Sequence, residues 1–288
     1  MKKFIYRVFF FFGIVVLVMT FNYTFNSYFL NKRHFVSNAN TVIIGDSRMM
    51  TGLDPSLIDN CINTAQNSES YFISYFKLKY ILKYSKNVKK IILGFSYPSL
   101  SAYMDNLYKN DFATGDVLNR IYPIISIKDF GFIPVDKERY YTIIFRNMFV
   151  LPQKNHEKFI GRFTALPTGM KTANVNTTIQ RHYFDAKSKN CGVSEINRDY
   201  LDSIIMLIKE NKIQMYLVNL PFHQQYLKKI PKNFIDFYNK TKEEVKSTDV
   251  HVLDYGNEKL DDSNFKDHVH LSSIGASLLS KRLNQDLK

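Results

Sequence analysis

The first pattern along the chain is a long run without charge. Lys2, Lys3 and Arg7 precede Val8 to Phe21, and the uncharged stretch continues through Asn22, Tyr23, Asn26 and Tyr28 to Leu30, ahead of Lys32 and Arg33. A bilayer-spanning helix needs about 20 such residues, and tyrosines suit its interfacial end. The run is apolar on every face, unlike a core helix that packs by one side. The following TFNYTFNSYF lacks the small-x-small pattern of a signal-cleavage site. These features predict a cytoplasmic tail at 1–7, an uncleaved transmembrane signal anchor at 8–30 and a linker at 31–40. By the positive-inside rule the rest of the chain is extracytoplasmic.

From residue 41 the pattern changes to alternating strands and helices. Thr41 to Ile44 is a short β-branched apolar run ending at Gly45, with the texture of a buried parallel strand. Cys61 to Thr64 and Lys89 to Phe95 read as the next two strands. Between them, Ser68 to Tyr84 reads as a helix capped by Ser68, with Tyr71, Phe72, Tyr75, Leu78, Ile81 and Leu82 on one packing face. Glu195 to Asn211 and Pro231 to Ser247 read as helices. Met215 to Leu220 and His251 to Leu253 read as strands, and Ser272 or Ser273 caps a terminal helix running to about Asp286. Five strands alternating with helices predict an α/β fold, a doubly wound, mostly parallel sheet spanning 41–288. Residues 99–190 break the alternation and are read as an insertion, helical in part.

Composition narrows the partners. Hydrophobic residues make up 45% and charged residues 23%, which fits a folded domain rather than a disordered chain. The net charge of +13 raises the question of nucleic acid. The lysines, however, occur singly or in pairs (Lys89-Lys90, Lys228-Lys229, Lys240, Lys242) and form no arm or reading motif. We read a solvated basic face compatible with anionic lipid or acidic glycan, and no nucleic-acid partner. Cys61 and Cys191 show no metal or C-x-x-C spacing, and either a disulfide or two thiols fits them.

The chemistry concentrates at two places. Gly45-Asp46-Ser47-Arg48 directly follows the first strand of the domain. A serine in such a strand-to-helix turn is held clear of the sheet, its backbone N–H can face an oxyanion, and the helix start adds a positive dipole end. Gly45 lets the chain bend there, and Asp46 braces the turn. At the other end, Asp267-His268-Val269-His270-Leu271 precedes the terminal helix. Asp267 and His270, three apart in a turn, can face each other, so that the carboxylate fixes the imidazole tautomer that takes a serine proton. His268 and His270 without further ligands make no metal site. His223, after the fourth strand, stands where loops line the ligand crevice of a parallel sheet. His182, inside the insertion, carries no motif.

Together, Gly-Asp-Ser after strand one and Asp-x-x-His-Leu before the last helix resemble the first and last sequence blocks of the SGNH/GDSL hydrolases, over roughly 40–98 and 195–288. The resemblance implies a three-layer α/β/α fold, Ser47 as nucleophile, His270 as general base and then acid, and Asp267 as its partner. The family places a Gly in its second block and an Asn in its third. Here the second block reads Asn63 to Ser68 without Gly, and Ser96 stands in place of the Asn. Asn67 and Ser96 are the candidate oxyanion or substrate donors, joined by His223 as a substrate contact.

The anchor extends the resemblance to the membrane-anchored branch that O-acetylates surface polysaccharides. It implies acyl, chiefly O-acetyl, transfer to an envelope polysaccharide or ester hydrolysis on it, through an acyl-enzyme on Ser47. The donor in that branch is supplied across the membrane, in some cases by a multi-span protein partner. No metal or organic cofactor is implied. The alternative from another class is a non-catalytic SGNH-like envelope protein that binds glycan or scaffolds an assembly complex.

Overall fold

The computed structural model describes residues 1–32, 38–105, 157–170 and 174–288, with isolated positions between 106 and 156. Part of the linker read at 31–40 and much of the insertion read at 99–190 lie outside the described residues. The sheet belongs to one compact unit, Val36–Leu107 with Ile160–Lys288.

Helix α1 spans Lys2–Lys32. Its segment Lys2–Phe25 has a mean hydropathy of 2.3 over its most apolar window, and none of that window is buried. It is long and apolar enough to cross a membrane, and its exposed Phe9 to Phe12 ring row is what a lipid-facing helix presents.

In the compact unit, strands β1 (Thr41–Ile44), β2 (Cys61–Asn63), β3 (Lys90–Gly94), β4 (Gln214–Asn219) and β5 (Val250–Asp254) form a five-stranded sheet in the order β2-β1-β3-β4-β5, every pair parallel. Along the sequence the described helices after α1 are α2 (Ser47–Gly52), α3 (Tyr71–Tyr84), α4 (Glu157–Ile160), most of which lies outside the compact unit, α5 (Val175–Tyr183), α6 (Glu195–Glu210), α7 (Gln224–Leu227), α8 (Lys232–Val245) and α9 (Ser273–Asp286). This is the doubly wound, parallel α/β sheet expected from the alternation. Its order reverses beside β1, with β2 on one flank and β3 on the other. The crevice beyond the carboxyl ends of β1 and β3 is therefore the topological switch point where such sheets take ligands, and Ser47 stands at its rim.

Two cores hold the sheet. On one face Ile43, Ile92 and Val218 pack under Met49, Leu53, Leu279 and Leu283, so α2 and α9 are clamped to the strands that carry them. On the other, Phe72 meets Tyr200 edge-on at 5.3 Å, joining α3 to α6. Apolar side chains removed from water in this way contribute about 25 cal/mol per Å².

The structure corrects two readings of α3. Ser68 does not cap it: Ser68 has φ +52°, outside the helical region, and the helix begins at Tyr71 after Ser70. Nor does α3 bury a single face, because Ile73, Ser74, Lys77 and Tyr80 are buried as well. Lys77 is tolerated inside because its Nζ lies 2.6 Å from Glu69 Oε2 and donates to Thr64 O at 2.7 Å. A buried cation survives only when paired in this way. The terminal cap is Ser272, whose Oγ accepts from Gly275 N. Both cysteines are free thiols, and burial pushes the Cys61 thiol up to about 12.

Candidate active site

The Gly45–Ser47 turn is built from sterics. Gly45 has φ +140°, and a Cβ there would sit 2.8 Å from Met49 Cγ and 3.2 Å from Gly94 N. Only glycine fits such a conformation and approach without strain. Asp46 then caps α2, its Oδ1 accepting from Arg48 N at 3.0 Å. Ser47 becomes the first residue of the helix, at the mouth of the crevice. Asn63 secures the far end of α2, donating from Nδ2 to the carbonyls of Met49 (2.9 Å) and Leu53 (2.8 Å).

The structure brings Ser47, His270 and Asp267 into one line. Ser47 Oγ lies 2.8 Å from His270 Nε2, across 223 positions of sequence. His270 Nδ1 lies 2.9 and 3.0 Å from the two Asp267 oxygens. Asp267 also accepts from the backbone N–H groups of Val269 and His270, both at 2.9 Å. Burial pushes the Asp267 carboxyl up, but the His270 hydrogen bond and charge and the two backbone donors outweigh it and hold it down at about 2. The carboxylate is thus ionised at neutral pH, with Nδ1–H facing it and the Nε2 lone pair facing the serine.

A cleft of about 250 Å³ opens over this line. Asn67 and Ser68 of the second block border it beside Ser47 and His270, and Tyr103, Arg181 and His182 form another wall. Ser96 and His223 do not line it. Ser96 is buried and pairs with Ser99, Oγ to Oγ at 2.8 Å. His223 is buried too, with Nε2 3.1 Å from Asp262 Oδ1 and Nδ1 accepting from Gln225 N. Both face structural partners instead of the cleft, which corrects the substrate-facing positions read for them. Where the second block lacks glycine, Gly161 (φ +65°) lets another chain segment press against the carbonyls of Thr64 and Ala65.

Sequence reasoning missed two contributors. Arg48 is buried, and its guanidinium donates to the carbonyls of Val269 (3.2 Å), Pro221 (3.3 Å) and Leu220, with its Cζ 3.4 Å over the Phe222 ring. It ties the serine turn to the end of β4 and to the histidine loop. Burial pushes its pKa down, and Asp46 opposes that. His182 stands in the cleft wall, stacked on Tyr103 at 4.9 Å, with Nδ1 2.6 Å from Tyr226 Oη. Burial first, then Arg181 and Arg48, pushes it down to about 3, so it is neutral. Arg48 was visible beside the serine, but its partners are tertiary. Nothing local to α5 marks His182.

Fold and site define an α/β protein with a serine–histidine–aspartate line at the edge of a parallel sheet. The family model described as the DltD protein matches residues 172–285, the part of the chain that carries Asp267 and His270. No curated protein matches the chain at a significant level. Among solved structures, a provisionally assigned platelet activating factor from Streptococcus pneumonia is 14% identical with a TM-score of 0.44, over 96% of this chain and 99% of that one. A provisionally assigned acylhydrolase from Bacteroides fragilis is 11% identical with a TM-score of 0.40, over 90% and 95%. A GDSL-like lipase from Bacteroides thetaiotaomicron is 12% identical with a TM-score of 0.39, over 90% and 100%. These likenesses assign no activity.

Proposed function

We propose that the chain is a membrane-anchored serine acyltransferase or esterase acting on an envelope polysaccharide. The observation that carries this is the continuous Ser47–His270–Asp267 hydrogen-bond line at the mouth of a cleft. His270 Nε2 takes the proton of Ser47 Oγ as that oxygen attacks the acyl carbonyl, and the imidazolium that forms is stabilised by Asp267. Collapse of the tetrahedral intermediate expels the donor's leaving group, which receives the proton from His270. A sugar hydroxyl or water then resolves the acyl-enzyme by the reverse sequence. The backbone N–H of Ser47, at the start of α2, and Asn67 are the proposed oxyanion donors.

Transfer is favoured over hydrolysis by the matched DltD family, which is associated with D-alanyl transfer. A small acyl group, such as acetyl or aminoacyl, fits a cleft of this size. Helix α1 is proposed as a single-pass anchor that leaves the catalytic domain extracytoplasmic, with a multi-span protein supplying the donor. The test is intact-mass analysis of the full chain in detergent after brief exposure to p-nitrophenyl acetate. An acetyl adduct on Ser47, absent from Ser47→Ala and transferred to added oligosaccharide, is the expected result. A folded parent that never acquires the adduct would contradict the reading.

A further inference from the structure

The part of the cleft lined by Arg181 and His182 pairs a charged residue with a neutral one. Arg181 is exposed in the last turn of α5, and its Nη2 lies 3.3 Å from His182 Nε2. The Tyr226 hydroxyl donates to Tyr183 Oη at 3.1 Å, so its oxygen is the acceptor for His182 Nδ1–H at 2.6 Å. That places the ring proton on Nδ1 and leaves Nε2 with a lone pair, which accepts from Arg181. His182 is clamped further by the Tyr103 ring stacked on its face. A rigid, uncharged imidazole therefore steadies one arm of the guanidinium and leaves its charge unspent.

No carboxylate among the described residues forms an ion pair with Arg181. Among the described residues the one carboxylate in the lining, Asp46, accepts from Arg48 N. The free face of the Arg181 fork is thus an unneutralised bidentate donor beside the serine, the geometry that selects planar or tetrahedral oxyanions.

We propose that Arg181, held by neutral His182, binds an oxyanion of the substrate, a phosphate or a carboxylate, and so selects an anionic acyl donor or acceptor. This rests on the reading of the Ser47 cleft as the acyl-transfer site. Arg181 is the specificity-determining contact. His182 and Tyr226 are positioning residues that act through it.

The test uses the full chain in detergent micelles and a readout independent of turnover. Phenyl phosphate, benzoate and neutral phenol are titrated by ligand-observed NMR against the parent, Arg181→Gln, His182→Gln and Ser47→Ala. Arg181 is exposed, so its replacement leaves the core intact. The expected result is binding of one or both anions and not of phenol. Binding should weaken about tenfold in Arg181→Gln, the worth of one charge-assisted hydrogen bond. It should weaken less in His182→Gln and stay unchanged in Ser47→Ala. The tighter anion identifies phosphate or carboxylate as the source. Equal anion binding by parent and Arg181→Gln, or no preference over phenol, would overturn the proposal. Anion binding that depends on Arg181 in a protein whose Ser47 never acylates would sink the acyl-transfer reading and leave the anion site standing.

Discussion

Arg48 Nε donates to the backbone carbonyl of Val269 at 3.2 Å, so the residue after Ser47 holds the residue before His270. The same guanidinium reaches the chain leaving β4 and stacks on Phe222. The alignment of Ser47 with His270 is therefore set by a third side chain buried beneath both. Replacing Arg48 with Met should cost about 2–4 kcal/mol, because several buried carbonyls lose their donor. Urea denaturation measures that cost, and Ser47 acylation should slow by more than the folded fraction accounts for. An Arg48→Met protein with parental stability would show that the carbonyls find other partners.

Asp267 is expected to act through the orientation of His270. In Asp267→Asn the two backbone donors keep an oxygen acceptor, while the amide no longer enforces Nδ1–H on His270. Acylation should fall about 10³- to 10⁴-fold, far more than any loss of folded protein accounts for. Rates within tenfold of the parent would remove Asp267 from the triad.

Gly45 tests the turn itself. Gly45→Ala forces a Cβ toward Met49 Cγ at a φ of +140°, which should cost about 2–4 kcal/mol through strain and overpacking. The thermal midpoint of the variant, compared with the parent, checks this, and an unshifted midpoint would mean that the turn relaxes.

His182 gives a pH signature. Its folded pKa is depressed to about 3 from an ordinary 6.5, so the unfolded chain binds the proton more readily between those values. Stability from this group is intact above about pH 6.5 and falls as pH drops toward 3, by up to about 1.4 kcal/mol per pH unit. Asp267, also depressed, adds its loss only below its ordinary value of 3.8 and down to about 2. Between pH 6 and 4, then, His182→Gln should flatten the decline measured by urea midpoints, and an unchanged slope would mean that the imidazole is protonated in the fold.

The sequence made the sheet legible because each of its parallel strands is a short apolar run, and such runs survive any register. The serine turn and the Asp267–His270 pair were legible because each depends on neighbours within three residues. Ser96 and His223 were misplaced because a strand-end position does not say which way a side chain points. Ser96 turned to Ser99, and His223 to Asp262. Arg48, Lys77 and His182 could not be read because their partners lie far along the chain: Val269 for Arg48 and Tyr226 for His182. For Lys77 a hydrophobic pattern reads a buried lysine as a solvent face, although Glu69 neutralises it.

The most direct measurement is labelling of the full-length chain with a serine-reactive fluorophosphonate, beside Ser47→Ala and His270→Ala. An activated serine is expected to give a single adduct mapped to Ser47 by peptide mass analysis, absent in Ser47→Ala and lost or slowed at least about 10³-fold in His270→Ala. Labelling that persists undiminished in His270→Ala, or a folded parent that takes up no probe in the membrane or in detergent, would contradict serine catalysis at this site.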